Sequence, residues 1–344
     1  MRNKYNRRNG EQLGLMKLAM LLLLAIVIVA GAIYFFEITP EQLDSAAEQL
    51  ISTTSPNPTA QGIVPTATPL STQSEPNSQA VLPVKGKLSV VFLEVGNADC
   101  TFVQSPNGKT MLIDSGESGA FYTIDDFLKR CGISKIDVLV ATHPHNDHIG
   151  SMERIIENYA IDKIYMPKVA HNTPTYENLL TAITEKGMKI KDASGGMNSV
   201  IPFDDNVSVR ILSPLDDEYS RLNDYSVVLR LDYNNSSFLL TGDIESDAEC
   251  DIVSKYSELL RADVLKVPHH GSSSSSTEEF LSAVDPDYAI ISCDIDSDYN
   301  HPSAEVIDKL NVVGAEQYRT DLFGTIAVIT DGYGFEIKTE YYGE

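Results

Sequence analysis

Positive charge is scarce in this chain: 26 lysines and arginines stand against 49 aspartates and glutamates over 344 residues, a formal charge of -23. Five of the basic side chains and one acidic one fall in the first 17 residues, so the remainder carries 21 cations against 48 anions, or -27. Such a surface repels phosphate backbones and argues against broad electrostatic binding of nucleic acid, while leaving room for a polyanion drawn in locally by metal ions. Cysteine is equally sparse. Cys100, Cys131, Cys250 and Cys293 offer no C-x-x-C pair, and each sits in or beside an apolar segment, so they read as buried thiols without a role. No repeat at a short fixed period is present.

Long apolar runs are also missing, with one exception. Residues 18–36 are apolar, glycine or tyrosine throughout, nineteen in a row; at roughly 1.5 Å per residue they span about 28 Å, the thickness of a bilayer core. Arg2, Lys4, Arg7, Arg8 and Lys17 precede this span, whereas Glu37, Glu41, Asp44 and Glu48 follow it. The positive-inside rule therefore predicts a cytoplasmic basic tail over residues 1–17, a transmembrane anchor over 18–36, and the rest of the chain outside the cell membrane. Ala30-Gly31-Ala32 resembles a signal-peptide cleavage site. The apolar residues 33–36 beyond it favour an uncleaved anchor. Residues 37–85 form a Ser/Thr/Pro-rich linker, with prolines at 56, 58, 65, 69, 76 and 83, and lack the apolar periodicity that would offset ordering entropy.

From residue 86 to 344 short apolar strands alternate with amphipathic helices, which predicts one layered α/β (α+β) domain. Pro106-Asn107-Gly108 marks a hairpin turn, Tyr122–Cys131 a helix ended by Gly132, and residues 149–159 a helix after the strand 138–141.

The histidines are concentrated rather than scattered. Of seven, three lie in His143-Pro144-His145-Asn146-Asp147-His148, two in Pro268-His269-His270-Gly271 and one in Asn300-His301-Pro302; only His171 stands apart. His143 and His145 lie two residues apart, so an extended segment points both imidazoles the same way and lets them share one ion. Asp147 and His148 follow the turn of the chain and reach a second ion nearby. Leu239-Leu240-Thr241-Gly242-Asp243 is an apolar strand that pushes a carboxylate past a sheet edge, where Asp243 can bridge two ions. Asp114, in Leu112-Ile113-Asp114-Ser115-Gly116, suits a role behind the metals, orienting a histidine or the metal loop.

Together with Val91-Phe92-Leu93-Glu94-Val95-Gly96-Asn97-Ala98-Asp99-Cys100 and Lys266-Val267-Pro268-His269-His270-Gly271-Ser272, these motifs resemble the metallo-β-lactamase superfamily. Within it they most resemble the extracellular hydrolase domain of ComEC-type DNA-uptake competence proteins. Tyr299-Asn300-His301-Pro302 and Tyr318-Arg319-Thr320-Asp321 resemble that subgroup's late motifs. The resemblance implies a four-layer αββα sandwich with two divalent ions, zinc or manganese. His143 and His145 would hold the first ion, Asp147 and His148 the second, and Asp243 would bridge. His269, rather than His270, would complete the second site. Asp147 and Asp243 would be the catalytic residues, Asp147 orienting or deprotonating the attacking water. Many superfamily members place another histidine on the first ion, where this chain has Leu222-Asn223-Asp224-Tyr225-Ser226. Asn223 or Asp224 would substitute there, with His270 and His301 lining the site.

The resulting expectation is a membrane-anchored extracellular metallohydrolase of a phosphoester, with DNA or an envelope polymer as substrate. One membrane span is too few for a DNA channel, so a separate channel protein is the expected partner for transport. The rival expectations are a non-catalytic metal-binding module of an envelope or DNA-uptake assembly, or an esterase acting on cell-envelope polymers.

Overall fold

A computed structural model describes residues 81–295 and 297–341. The expected anchor at 18–36 lies outside the described residues, as does the linker up to residue 80. Among the described residues no helix is long and apolar enough to cross a membrane.

Fourteen strands are described. They are β1 (Leu88–Phe92), β2 (Thr101–Gln104), β3 (Thr110–Ile113), β4 (Lys135–Val140), β5 (Ala160–Met166), β6 (Ile190–Asp192) and β7 (Ser208–Ser213), then β8 (Val228–Tyr233), β9 (Ser236–Leu240), β10 (Val264–Lys266), β11 (Tyr288–Ile291), β12 (Glu316–Arg319), β13 (Ile326–Thr330) and β14 (Phe335–Thr339). They form an eight-stranded sheet in the order β14-β13-β1-β2-β3-β4-β5-β6 and a six-stranded sheet in the order β12-β11-β10-β9-β8-β7. The helices are α1 (Phe121–Arg130), α2 (Asn146–Ile149), α3 (Met152–Asn158), α4 (Pro174–Glu185), α5 (Ser246–Tyr256), α6 (Glu278–Val284), α7 (Ala304–Val313) and α8 (Thr320–Phe323).

Side chains alternate across a strand, so each sheet feeds two cores. Along β1, Leu88, Val90 and Phe92 enter the cluster between the sheets, where they join Leu229, Phe238, Val264 and Ile290 from the six-stranded sheet. Val91 faces the other way, joining Phe102, Leu112 and Leu139 beneath Ile124, Phe127 and Leu128 of α1 and Ile155 of α3. A third cluster packs Leu239, Leu265 and Ile291 against Ile252, Phe280 and Leu310 of α5, α6 and α7. Three buried clusters separate four layers, the αββα order that the motifs implied. Truncating any of these fully buried residues to alanine would cost about 2–5 kcal/mol through lost burial and the cavity left behind.

Three local differences from the sequence reading have physical causes. The helix expected over 149–159 is observed as α3, with the separate turn α2 before it, because Ser151 leaves helical dihedrals at φ -101° and ψ 0° where the Gly150 backbone packs against that of Glu117. There the Ser151 hydroxyl donates to Glu117 O at 2.6 Å, and the loop before α1 replaces a helical turn. The folded domain begins earlier than residue 86, since Val81 is buried and Leu82 and Val84 pack against its cluster. Cys250 is exposed rather than buried: α5 turns Ala248, Ile252 and Tyr256 inward at four-residue intervals, and Cys250 lies off that stripe. No disulfide joins the four cysteines, all of which are free.

Candidate metal centre

Strands β3, β4 and β5 run parallel in one sheet, and β9, β10, β11 and β12 run parallel in the other. The carboxyl ends of parallel strands are where open α/β sheets present ligand-binding loops. Here those ends carry Asp114 after β3, the His143-to-His148 loop after β4, Asp243 after β9 and the two histidines after β10. Gly242, at φ +53°, lets the Asp243 loop approach, since a side chain there would lie 3.0 Å from both Ser226 and Thr142.

Asp147, His148, Asp243 and His270 each offer one ligating atom within 4.8 Å of all the others. Asp243 Oδ2 lies 3.1 Å from His148 Nε2 and 3.5 Å from His270 Nε2, while Asp147 Oδ2 lies 3.5 and 3.4 Å from the same two nitrogens. Despite this closeness, His148 Nε2, His270 Nε2 and Asp243 Oδ1 are buried without a hydrogen-bond partner. Leaving such groups unsatisfied costs about 1–3 kcal/mol each, so they call for an occupant. A divalent cation fits: two imidazole nitrogens and two carboxylates are a donor set for zinc or manganese.

Hydrogen bonds at the far nitrogen of each ring fix which imidazole atoms face inward. Asp114 accepts from His148 Nδ1 at 2.8 Å, from the Thr142 amide at 2.8 Å and from its hydroxyl at 2.7 Å, so one buried carboxylate orients both the histidine and the loop. His270 Nδ1 donates to Ser292 O at 2.9 Å, which leaves Nε2 for the centre. Burial opposes charge on His148, yet Asp243, Asp147 and Asp114 outweigh it and raise its pKa well above the ordinary imidazole value. The balance at His270 is the same, with burial overcome chiefly by Asp243 and Asp99. Burial likewise opposes ionisation of Asp243 and Asp147, but His148 and His270 prevail and hold both carboxyls below the usual range. A pocket that favours imidazolium this strongly would equally favour a metal cation in the proton's place.

On the other side, His143 Nε2 and His145 Nδ1 converge at 2.9 Å. Burial, reinforced by His148, drives the His143 pKa well below its ordinary value and keeps the ring neutral, as a metal ligand must be. Its Nδ1 meets the hydroxyls of Ser226 and Thr142, both at 3.2 Å, and Ser226 Oγ also accepts from the Asp243 amide at 3.1 Å.

The remaining sequence candidates fall into place differently from expectation. His270, not His269, joins the four-residue cluster. Both adopt left-handed backbone conformations, φ 52° and 54°, each strained by roughly 1–3 kcal/mol, and this turn swings one ring inward and the other aside. His269 Nε2 stays 4.0 Å from Asp243 Oδ2, and its Nδ1 lies 3.2 Å from Ser274 Oγ. Asp224 is not available as a ligand, because its carboxylate accepts the Glu245 and Ala248 amides at the start of α5 and pairs with Arg221. Asn223 donates Nδ2 to Glu245 at 2.8 Å and leaves its buried Oδ1 unpartnered. His301 stacks on His270, centroids 6.3 Å apart.

Three residues of the site carried no assigned role in the sequence reading. His171 packs edge-on against His145 at 5.8 Å, so all seven histidines gather here. Asp99 and Lys266, each under 4% exposed, form a buried ion pair of 2.6 Å, with Asp99 Oδ1 3.6 Å from His270 Nδ1. A buried lysine at the end of β10 was the available signal, since lysine is rarely fully buried unless paired.

The metallo-β-lactamase superfamily matches over residues 93–294, more than half of the chain. The chain is 31% identical over 254 residues to ComE operon protein 3 of Bacillus subtilis, covering 69% of this chain and 32% of that protein. It is 28% identical over 243 residues to competence protein ComA of Neisseria gonorrhoeae, covering 70% of this chain and 32% of that one. It is also 30% identical over 241 residues to recombination protein 2 of Haemophilus influenzae, covering 69% and 28% respectively. The chain thus spans about a third of the length of each of these relatives. With its motifs, its four layers and its histidine and aspartate cluster at the strand ends, the chain belongs to the metallo-β-lactamase superfamily and is a metallohydrolase of that fold.

Proposed function

We propose that the chain is a membrane-anchored phosphodiesterase whose catalytic domain lies outside the cell and acts on DNA or an envelope polymer. The observation that carries this reading is the convergence of buried, unpartnered ligating atoms from both sheets on one spot. Asp147, His148 and His270 would hold one ion, His143 and His145 another, with Asp243 shared between them. Bound divalent ions supply positive charge that acidifies water to near neutrality and offsets charge on phosphoryl oxygens. Asp147 is the carboxylate of the set most open to the pocket, 30% exposed against 2% for Asp243. It is placed to orient the attacking water and take its proton. Asp114 and Ser292 keep the ligating rings fixed, so little reorganisation accompanies the reaction. The apolar span at 18–36 supports anchoring, and the competence-protein relatives support a DNA-uptake setting with a separate channel protein.

The test is hydrolysis of bis-p-nitrophenyl phosphate, DNA and envelope phosphodiesters by the purified protein with added zinc or manganese. Metal-dependent release of p-nitrophenolate, lost to a chelator and restored by metal, is expected. Stoichiometric metal with no turnover on any of these substrates would overturn the enzyme reading in favour of a binding module.

A further inference from the structure

The site opens into a pocket of about 810 Å³. Beyond Asp147 and Asp243, its wall carries three more carboxylates, Glu117, Asp294 and Asp298, and among the described residues no lysine or arginine lines it. Two successive turns, Ser297 N to Asp294 O at 3.2 Å and Asn300 N to Ser297 O at 3.1 Å, set Asp294, Asp298 and Tyr299 on that wall. Tyr299 is 72% exposed, and its ring stacks on His301 at 5.7 Å with an interplanar angle of 26°. His301 in turn stacks on His270. A ladder of rings therefore runs from solvent to the centre. At the inner end Asn223 Oδ1 and Asp243 Oδ1, in residues 8% and 1% exposed, lack any partner.

This wall is unsuited to a polyanion. The phosphates next to a scissile one would meet carboxylates without a single clamping lysine or arginine, the groups on which phosphate-backbone binding relies. It suits a cation, because carboxylates beside an exposed aromatic face are the elements that recognise an alkylammonium group. Resting on the phosphodiesterase reading, we propose that the substrate is a phosphodiester of an ammonium-bearing alcohol, its phosphoryl group at the centre and its ammonium group against Asp294, Asp298 and Tyr299. In the reaction water oxygen bonds to phosphorus and the ester bond to the leaving alcohol breaks. One water proton passes to Asp147, and the departing oxygen takes a proton from solvent.

The test compares p-nitrophenyl phosphorylcholine with p-nitrophenyl 3,3-dimethylbutyl phosphate, an isostere with carbon in place of the ammonium nitrogen, on the full chain with added metal. A roughly tenfold preference in kcat/KM for the cationic ester, carried by KM, is expected. In Asp294→Asn/Asp298→Asn that preference should shrink towards parity, and Tyr299→Ala should reduce it further. Calorimetric titration with phosphorylcholine and 3,3-dimethylbutyl phosphate should show the same preference in Kd without turnover. Equal use of the two esters by the unaltered chain, or a preference that survives the double substitution, would overturn the proposal while leaving the phosphodiesterase reading intact. Hydrolysis of neither ester would overturn the proposal, and it would overturn the phosphodiesterase reading as well only if bis-p-nitrophenyl phosphate, DNA and envelope phosphodiesters were also left intact. Glycerophosphocholine against short-chain phosphatidylcholine then separates a soluble diester from a lipid headgroup, and cleavage of either supports the proposal.

Discussion

The two sides of the centre are held by different physics. On the His148 side, three aspartates surround a fully buried imidazole, and Asp114 fixes it at 2.8 Å. On the His143 side the two converging rings are backed by hydroxyls, with no carboxylate as close as Asp114 is to His148. One side is prepared for a cation by net charge as well as by lone pairs, and the other mainly by lone pairs. Asp243 is the element they share, so on the two-ion proposal an ion beside His143 and His145 would be held more weakly and would leave first under a chelator.

The severest way to break this comparison is Asp243→Ala. Turnover of bis-p-nitrophenyl phosphate should fall by more than about 10³-fold, with metal content reduced and the circular dichroism spectrum retained. Unchanged turnover would remove Asp243 from the centre. A sharper cut within one side is His270→Ala against His269→Ala. The first removes a ring nitrogen that points into the cluster and should lower metal affinity by at least about 100-fold, while the second should cost no more than about tenfold. Equilibrium dialysis with zinc decides between them, and equal losses would show that the left-handed turn does not distinguish the rings.

The smallest effect concerns protons in the metal-free protein. Burial, assisted by His269 and His270, lowers the His301 pKa to about 4, against about 6.5 in an unfolded chain. Between those values the unfolded state binds more protons, so this contribution to stability is complete above pH about 6.5 and is lost as pH falls towards 4. Because the ring is partly open to solvent, the loss is discounted to about 1 kcal/mol. Urea unfolding midpoints of the metal-free protein should fall less steeply across this window in His301→Asn than in the unaltered chain.

Much of the fold was legible in the sequence because strands buried on both faces read as apolar runs, as β1 and β13 do. The strands without an apolar run, β6 and β12, lie at sheet edges, β6 exposed and β12 mostly half-buried, with burial patterns that carry no hydrophobic period. At the site, residue type and spacing pointed to His143, His145, Asp147, His148 and Asp243. Choosing between His269 and His270 turns on backbone dihedrals at adjacent identical residues, which no spacing rule resolves. Asp224 misled for a related reason: a carboxylate before a helix serves as readily to receive amide protons as to hold a metal.

The centre also bears on the order in which the molecule assembles. The loop after β4 belongs to one sheet, and the loops after β9 and β10 to the other, far along the chain. Neither half contains the full donor set, and contacts between segments so distant form late because loop closure must precede them. A captured metal would therefore act late, as a latch across the seam between the two sheets. Once shut, it should slow their separation more than it speeds their meeting.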